Sequence, residues 1–497
     1  MSAHAASQAT ADRRGLIAVD LGAESCRVSL LQWVDGEPHM RLVHRFANGP
    51  VPALDGSLRW PLERILEGVD AGVRIAAALA PVGIRSIAVD GWAVDYVRLE
   101  EDGRLPEDPY CYRDLRNVAA ATALHAQIAP GRIREITGTE QQPINTLYQL
   151  YADRLSGRAP ARWLNLPEYL LHRWGAEPVA EYTNASHTQL IDLSSRRWSE
   201  ELFDAAGLDE TKAARIVPAG TLLGKLSGAL ASVPELSDTD LVAPACHDTA
   251  SAIAGISEAG EDWAYISCGT WSLVGAVIAA PLNSAAVRAD NFTNLGAVGG
   301  RCCFHKGING MWVLKQCMDH WAQEGEPWDI GALVEAAACE HPPEGLLSID
   351  DPELMRMGRM PERIAAQCIA HGLPLLSQQS KDAPKMVSLI LHSLAAQYAH
   401  VIERVRIHTG KKLERVVMVG GGAQNALLRQ LTSETTRAEI ITGPQESSTV
   451  GNLAVQCALR DGATPASPDE FARAVRFWAS RIAHVEPRAA AHRMSHA

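Results

Sequence analysis

The chain has 497 residues, 47% hydrophobic and 21% charged, the composition of a soluble globular protein with two large domains or three. A formal net charge of -12 excludes the basic face that a nucleic-acid binder needs, yet leaves room for phosphates held locally by backbone amides. No run of about 18 uncharged apolar residues occurs, which excludes a membrane-spanning helix, and the 10 cysteines show neither a CxxC pair nor zinc-site spacing, which suits reduced thiols in a cytoplasmic protein.

In chain order, residues 1–14 are rich in Ala and Ser without an apolar centre and are expected to form a disordered leader. Residues 15–33 predict a β-hairpin. Leu16-Ile17-Ala18-Val19 is its buried strand, Asp20-Leu21-Gly22-Ala23-Glu24-Ser25 its polar turn, and residues 27–31 its return. Leu62, Ile65, Val69, Val73 and Ala77 recur at helical spacing, so a helix is expected over 62–80. Ser86-Ile87-Ala88-Val89 is a strand that runs into Asp90-Gly91-Trp92-Ala93-Val94-Asp95. This alternation predicts an α/β architecture.

Residues 119–240 read as more helical and more polar, with breaks near Pro143, Pro160 and Pro167. A strand starts again at Leu241-Val242-Ala243-Pro244, and the main boundary is expected there: one domain over 15–243, a second over 244–485, and a tail over 486–497. Leu394, Tyr398, Val401, Ile402 and Val405 predict a helix over 390–409. Val416-Val417-Met418-Val419 is a strand, followed by Gly420-Gly421-Gly422, a helix over 426–436 and a strand over 439–441. No repeat of 20–50 residues is visible, although a small hydroxyl-bearing turn follows a strand in each half, at 20–25 and at 267–272.

Asp248 is the candidate general base. It lies in Cys246-His247-Asp248-Thr249, just before a helix-like stretch, where an Asp also serves well as a helix cap. Ser267-Cys268-Gly269-Thr270 is small enough to let backbone approach a phosphate. The Asp20 to Ser25 turn can present amides and a hydroxyl, with Asp20 holding water around Mg²⁺. The three glycines at 420–422 match neither GxGxxG nor a P-loop and suit packing against adenine or ribose, with Asn425 as a polar contact. Trp92 and Asp95, at a strand end, suit a sugar.

Together these blocks resemble the FGGY carbohydrate kinases of the actin-like ATPase superfamily, and among them the members that phosphorylate L-rhamnulose. The likeness also rests on His44-Arg45-Phe46-Ala47-Asn48-Gly49, Tyr112-Arg113-Asp114, Asn145-Thr146-Leu147-Tyr148-Gln149-Leu150, Glu181-Tyr182-Thr183-Asn184-Ala185 and Gly451-Asn452. It implies two ribonuclease H-like domains with ATP in the cleft between them, MgATP as co-substrate, and a monomer or homodimer that binds a small-molecule sugar and ATP. By the same likeness Asp248 is the catalytic aspartate. Ala23, Glu24, Ser25, Cys26 and Arg27 form the first phosphate loop, and Thr270, Lys315, Gly421, Gly422 and Asn425 contact ATP. Trp92, Ala93, Asp95, His247, Thr249 and Gly307 contact the sugar, and Asp20 holds the metal through water. The implied reaction makes L-rhamnulose 1-phosphate. Cys26, Ala93, Gly307 and Lys315 depart from the pattern of these relatives. The alternatives are a sister kinase for L-fuculose or L-xylulose, and a non-catalytic sugar or nucleotide sensor on the same fold.

Overall fold

The computed structural model describes residues 12–258 and 260–483; the expected tail and most of the expected leader lie outside the described residues. The last described part of that leader is anchored, with Arg14 paired to Asp12 and to Asp238. Two compact units are formed. One takes the chain to Ser257, with Leu295–Arg301 and the segment from Ser447; the other holds Glu258–Asn294 and Cys302–Glu446.

The first unit is built on a six-stranded sheet in the order Thr221–Lys225, Asp240–Ala243, Ile84–Gly91, Gly15–Leu21, Ser25–Val34, Glu37–Ala47. Gly15–Leu21 is buried along its whole length, as its unbroken apolar run predicts for a central strand. It pairs in parallel with Ile84–Gly91 and antiparallel with Ser25–Val34, closing the expected hairpin. The helix Leu62–Ala78 covers this sheet with Leu62, Ile65, Val69 and Val73 inward. Two strands exceed their expected length. Asp20 and Asp90 are still strand residues, and the first turn shrinks to residues 22–24.

The expected boundary at 243/244 falls elsewhere. The strand Asp240–Ala243 completes the first sheet beside Ile84–Gly91, and the unit continues through the helix Asp248–Ala254 to Ser257. The cause is close helix packing. Ser447–Arg460 returns to lie on Asp248–Ala254, with Gly255 and Gly451 at the crossing, where a Cβ on either would overlap a carbonyl oxygen of the facing segment. Such long-range pairing leaves no local signal, so the strand onset at Leu241 looks in sequence like a domain start.

The second unit repeats the plan. Its sheet runs Thr293–Gly296, Cys302–Asn309, Trp271–Ile278, Trp263–Cys268, Arg415–Val419, Glu439–Thr442, with an antiparallel hairpin at its centre, an antiparallel pair on its Cys302–Asn309 side and parallel pairs on its Arg415–Val419 side. The two turns that echoed one another in sequence are thus both tips of a central hairpin. The helix Ala383–Thr409 buries Leu394, Tyr398, Val401, Ile402 and Val405 and begins earlier than expected, because Pro384 sits in its first turn, where a missing N–H costs nothing. All ten cysteines are free thiols, and all but Cys339 are buried. Among the described residues no helix is long and apolar enough to cross a membrane.

Candidate active site

Three carboxylates gather at one end of the first sheet. Asp20 and Asp90 are register partners on parallel strands, so they stand side by side. The next residue, Gly91, bridges to His247 and donates its N–H to the Cys246 carbonyl at 2.9 Å, which lays Asp248 alongside. Asp248 is the first residue of the helix Asp248–Ala254, where a negative charge meets the positive end of the helix dipole.

The three carboxylates differ in partners. Asp20 Oδ2 accepts from Ser448 Oγ at 2.8 Å and from Arg27 Nη1 at 3.4 Å. Asp90 is fully buried; its Oδ1 accepts from Asn452 Nδ2 at 2.6 Å, and its Oδ2 has no hydrogen-bond partner. Asn452 is fixed in turn by Gln456, which also accepts from Ser86. Asp248 Oδ1 accepts from the Thr249 amide at 2.5 Å and from Thr249 Oγ1 at 3.2 Å, while no described group donates to its Oδ2. Its side chain keeps 35% of its surface.

Burial raises all three and is the largest cause for each, and crowding by a neighbouring acid, Asp20, adds to it for Asp90 and Asp248. Asp90 is held well above the usual carboxylate range, and Asp248 is pushed up to about 7 despite the two bonds from Thr249. A carboxylate with one oxygen pinned, one free, and an affinity for protons matched to neutral pH is equipped to take a proton from a hydroxyl. His247 completes this edge. It is buried, its Nε2 lies 3.5 Å from Asp248 Oδ1, and its ring packs 4.9 Å from that of His187.

Trp92, Ala93 and Asp95 are all buried near the same strand end. Asp95 differs from its expected part as a sugar contact, because its acceptors are used within the protein. Oδ2 takes the indole N–H groups of Trp60 (2.5 Å) and Trp92 (3.0 Å), and Oδ1 takes Gln149 Nε2 (3.0 Å). Asp95 therefore fixes two tryptophans whose rings lie 4.4 Å apart. Between Ala93 and Asp95, Val94 sits at φ +69°, an outlier for a β-branched residue, and its carbonyl is held by Thr146 Oγ1 and Gln149 Nε2. Strain concentrated in the Trp92–Asp95 turn suits a ligand-contact segment.

In the first turn, Gly22 has no room for a side chain against the Ser25 carbonyl, and Asn48 clamps the turn by donating to Gly22 O at 2.9 Å while its amide bonds Glu24 O. Ala23, Glu24 and Ser25 are accessible at the tip. Cys26 is fully buried with its thiol turned back to Gly22 O, so this departure from the family pattern leaves only backbone for a phosphate. Arg27 is paired with Asp20.

Within the second unit, the turn at Gly269 and Thr270 is tied to the start of the helix Trp312–Gln323, since Met311 and Trp312 donate to Gly269 O and Thr270 O. Lys315, on that helix, is exposed and paired with Asp319 at 2.7 Å. Gly420 and Gly422 pack on Cys268, two residues before Thr270, whereas Gly421 is exposed with nothing near it. Close approach to Cys268 accounts for two of the three glycines. Asn425 caps the helix Ala426–Thr436 by accepting from the Leu428 amide, and its Nδ2 is buried without a partner. Gly307 pairs with Leu273 mid-sheet.

The structure therefore unites Asp20, Arg27, Asp90, Trp92, His247, Asp248 and Thr249 in one unit, and Thr270, Gly421 and Gly422 in the other. Asp248 and Thr270, expected in one domain, fall in different units. Asp90, His187, Ser448 and Asn452 were missed as site residues. The Asp90 and Gly451-Asn452 blocks were visible in sequence, but only strand register and the return of the last helices bring them together.

Comparison with known proteins gives the family. Residues 16–255 match the N-terminal domain and residues 264–459 the C-terminal domain of the FGGY family of carbohydrate kinases. A rhamnulokinase from Enterococcus faecalis is 34% identical over 452 residues, covering 90% of this chain and 89% of that protein. Another, from Pectobacterium carotovorum, is 35% identical, covering 89% and 88%. The crystal structure of a ligand-bound xylulose kinase from Lactobacillus acidophilus shares the fold, with a TM-score of 0.74 at 14% identity, covering 94% of this chain and 97% of that one.

Proposed function

Since the chain belongs to the FGGY family of carbohydrate kinases, we propose that it transfers the γ-phosphoryl group of ATP to a ketose, with L-rhamnulose as substrate and L-rhamnulose 1-phosphate as product. The sugar assignment rests on the rhamnulokinases that cover most of the chain at 34% and 35% identity. The observation that carries the chemistry is Asp248, with one oxygen pinned by Thr249 and the other open.

In this reading Asp248 Oδ2 takes the proton of the C1 hydroxyl as that oxygen bonds to the γ-phosphorus. The bond from phosphorus to the bridging oxygen breaks, and ADP leaves with the electron pair. His247 and Thr249 flank the hydroxyl, Trp92 offers the sugar an apolar face, and the amides of residues 23–27 and Thr270 receive phosphates. Gly421 is the glycine open to adenine. A divalent cation accompanying ATP would be held through water by the hard carboxylate oxygens of Asp20, since no group of three or more Asp, Glu, His or Cys side chains suited to direct ligation occurs among the described residues. When bound with ATP, such a cation neutralises charge on the transferring phosphoryl group.

A non-catalytic sensor is disfavoured because it has no use for a carboxylate with one oxygen pinned, the other unengaged and a raised proton affinity. A panel of L-rhamnulose, L-fuculose, L-xylulose and D-xylulose with MgATP, read as ADP release, tests the substrate. The highest kcat/KM is expected for L-rhamnulose, and preference for another ketose transfers the assignment to that sugar.

Acidity tests the base. Asp248 works unprotonated, so with its pKa near 7 the reaction is full above that value. Each unit of pH below it removes about tenfold in kcat/KM. A profile flat from about pH 5 to pH 8 shows that Asp248 does not titrate in that range, and the Asp248→Asn variant then decides its part in proton transfer.

A further inference from the structure

Below Asp248 lies a buried polar layer that touches none of the residues assigned to ligands except through backbone. Glu181 Oε2 accepts the Cys246 N–H at 2.9 Å, and Thr183 Oγ1 accepts the His247 N–H at 3.2 Å. The Thr183 hydroxyl donates to Glu181 Oε2, and the Thr183 amide to Glu181 Oε1. Glu168 supports them from a neighbouring helix: Oε1 accepts the Glu181 N–H and Oε2 accepts Asn184 Nδ2. Glu168, Glu181, Thr183 and Asn184 are almost wholly buried.

On its other side the same peptide pair is equally committed. The Cys246 carbonyl accepts from Gly91, and the His247 carbonyl accepts the Ser251 amide that opens the helix. All four backbone polar groups of Cys246 and His247 are thus fixed immediately before Asp248. Capping the short helix Tyr182–Ala185 needs only the Glu181 bond to the Thr183 amide; it does not explain a second carboxylate oxygen aimed 65 residues along the chain. Nor does space filling explain two buried carboxyls, since apolar residues fill volume at lower cost. Both carboxyls accept the bonds described, as needed to aim N–H groups and not to contact substrate.

We infer that Glu181 and Thr183, backed by Glu168, are positioning residues that set the direction of Asp248 by holding the amides of Cys246 and His247. The inference rests on Asp248 being the base. A carboxylate carried on a peptide that can rotate loses alignment with the sugar hydroxyl while substrate binding is largely kept, so the effect falls on kcat.

The test uses the full-length enzyme with the preferred ketose, comparing Thr183→Val, Thr183→Ser and Asp248→Asn for kcat, both KM values and thermal unfolding. Thr183→Val is expected to lower kcat by about 10- to 100-fold with each KM within about threefold, and Thr183→Ser, which keeps the hydroxyl, to recover most of the loss. Wild-type kcat in Thr183→Val overturns the inference, as does a Ser variant as slow as the Val variant, or a loss carried by KM. Should Thr183→Val not fold, Glu181→Gln, which turns one acceptor into a donor facing Thr183, decides by the same readout. Turnover retained by Asp248→Asn refutes the base itself; an inactive Asp248→Asn beside a fully active Thr183→Val refutes the positioning alone.

Discussion

Asp248→Asn is expected to lower kcat by about 10²- to 10⁴-fold, the usual worth of a positioned general base, while leaving ATP affinity near its original value. The replacement is nearly isosteric. The oxygen that accepts from the Thr249 amide and hydroxyl can stay, so the start of the helix Asp248–Ala254 keeps its shape. What changes is the second position, where an open acceptor becomes an NH₂ donor facing the hydroxyl that must lose its proton. Coupled ADP release gives kcat, and calorimetric titration with ATP separates binding from turnover. An undiminished kcat removes Asp248 from the mechanism.

The same variant has a stability signature that a merely damaging mutation lacks. Burial and the Asp20 charge raise Asp248 from 3.8 to about 7, so the folded protein disfavours its ionised form. The cost is present in full above the folded value and disappears below the ordinary one. Asn carries no charge, so the variant should unfold at a higher temperature than the parent at pH 8 and lose that advantage as pH falls towards 4. Lower activity with greater stability at alkaline pH is the behaviour of a strained functional site.

Local chemistry in the sequence announced much of this arrangement. Unbroken apolar runs marked the central strands, and periodic Leu62 to Ala77 marked the first helix. The hairpin turns at Gly22 and Gly269 followed from small residues after a strand. Three features needed the fold. Asp95 looked like a sugar contact because it is polar and at a strand end, but two distant groups, Trp60 and Gln149, claim its oxygens. Asp90 became a site residue through its register with Asp20, which pattern alone does not supply. The placement of Asp248 in the first unit depends on a helix nearly two hundred residues later, Ser447–Arg460, and no window of sequence contains both.

That helix contact yields the second large effect. Gly451→Ala is expected to destabilise the protein by about 1–3 kcal/mol, the range for overpacking a close contact, although Ala in a helix interior ordinarily gains about 1 kcal/mol over Gly. The sign reverses because a Cβ at Gly451 overlaps the Ser251 carbonyl oxygen and lies 2.8 Å from the Gly255 nitrogen, backbone atoms that cannot swing aside. Relief requires Ser447–Arg460 and Asp248–Ala254 to separate, which disturbs the Ser251 Oγ bond to Ser448 O, the Ser448 bond to Asp20 and the Asn452 bond to Asp90 together. Activity should therefore fall with stability. Gly131 provides the control. It lies in the helix Pro130–Thr137, and a Cβ there meets nothing within 4 Å. Gly131→Ala should keep kcat and raise the unfolding free energy by about 0.4–1 kcal/mol through the entropy of the unfolded chain. Denaturant unfolding of the two variants settles the point: shifts of the same sign would mean that close approach at Gly451 does not hold the base helix against the carboxylate cluster.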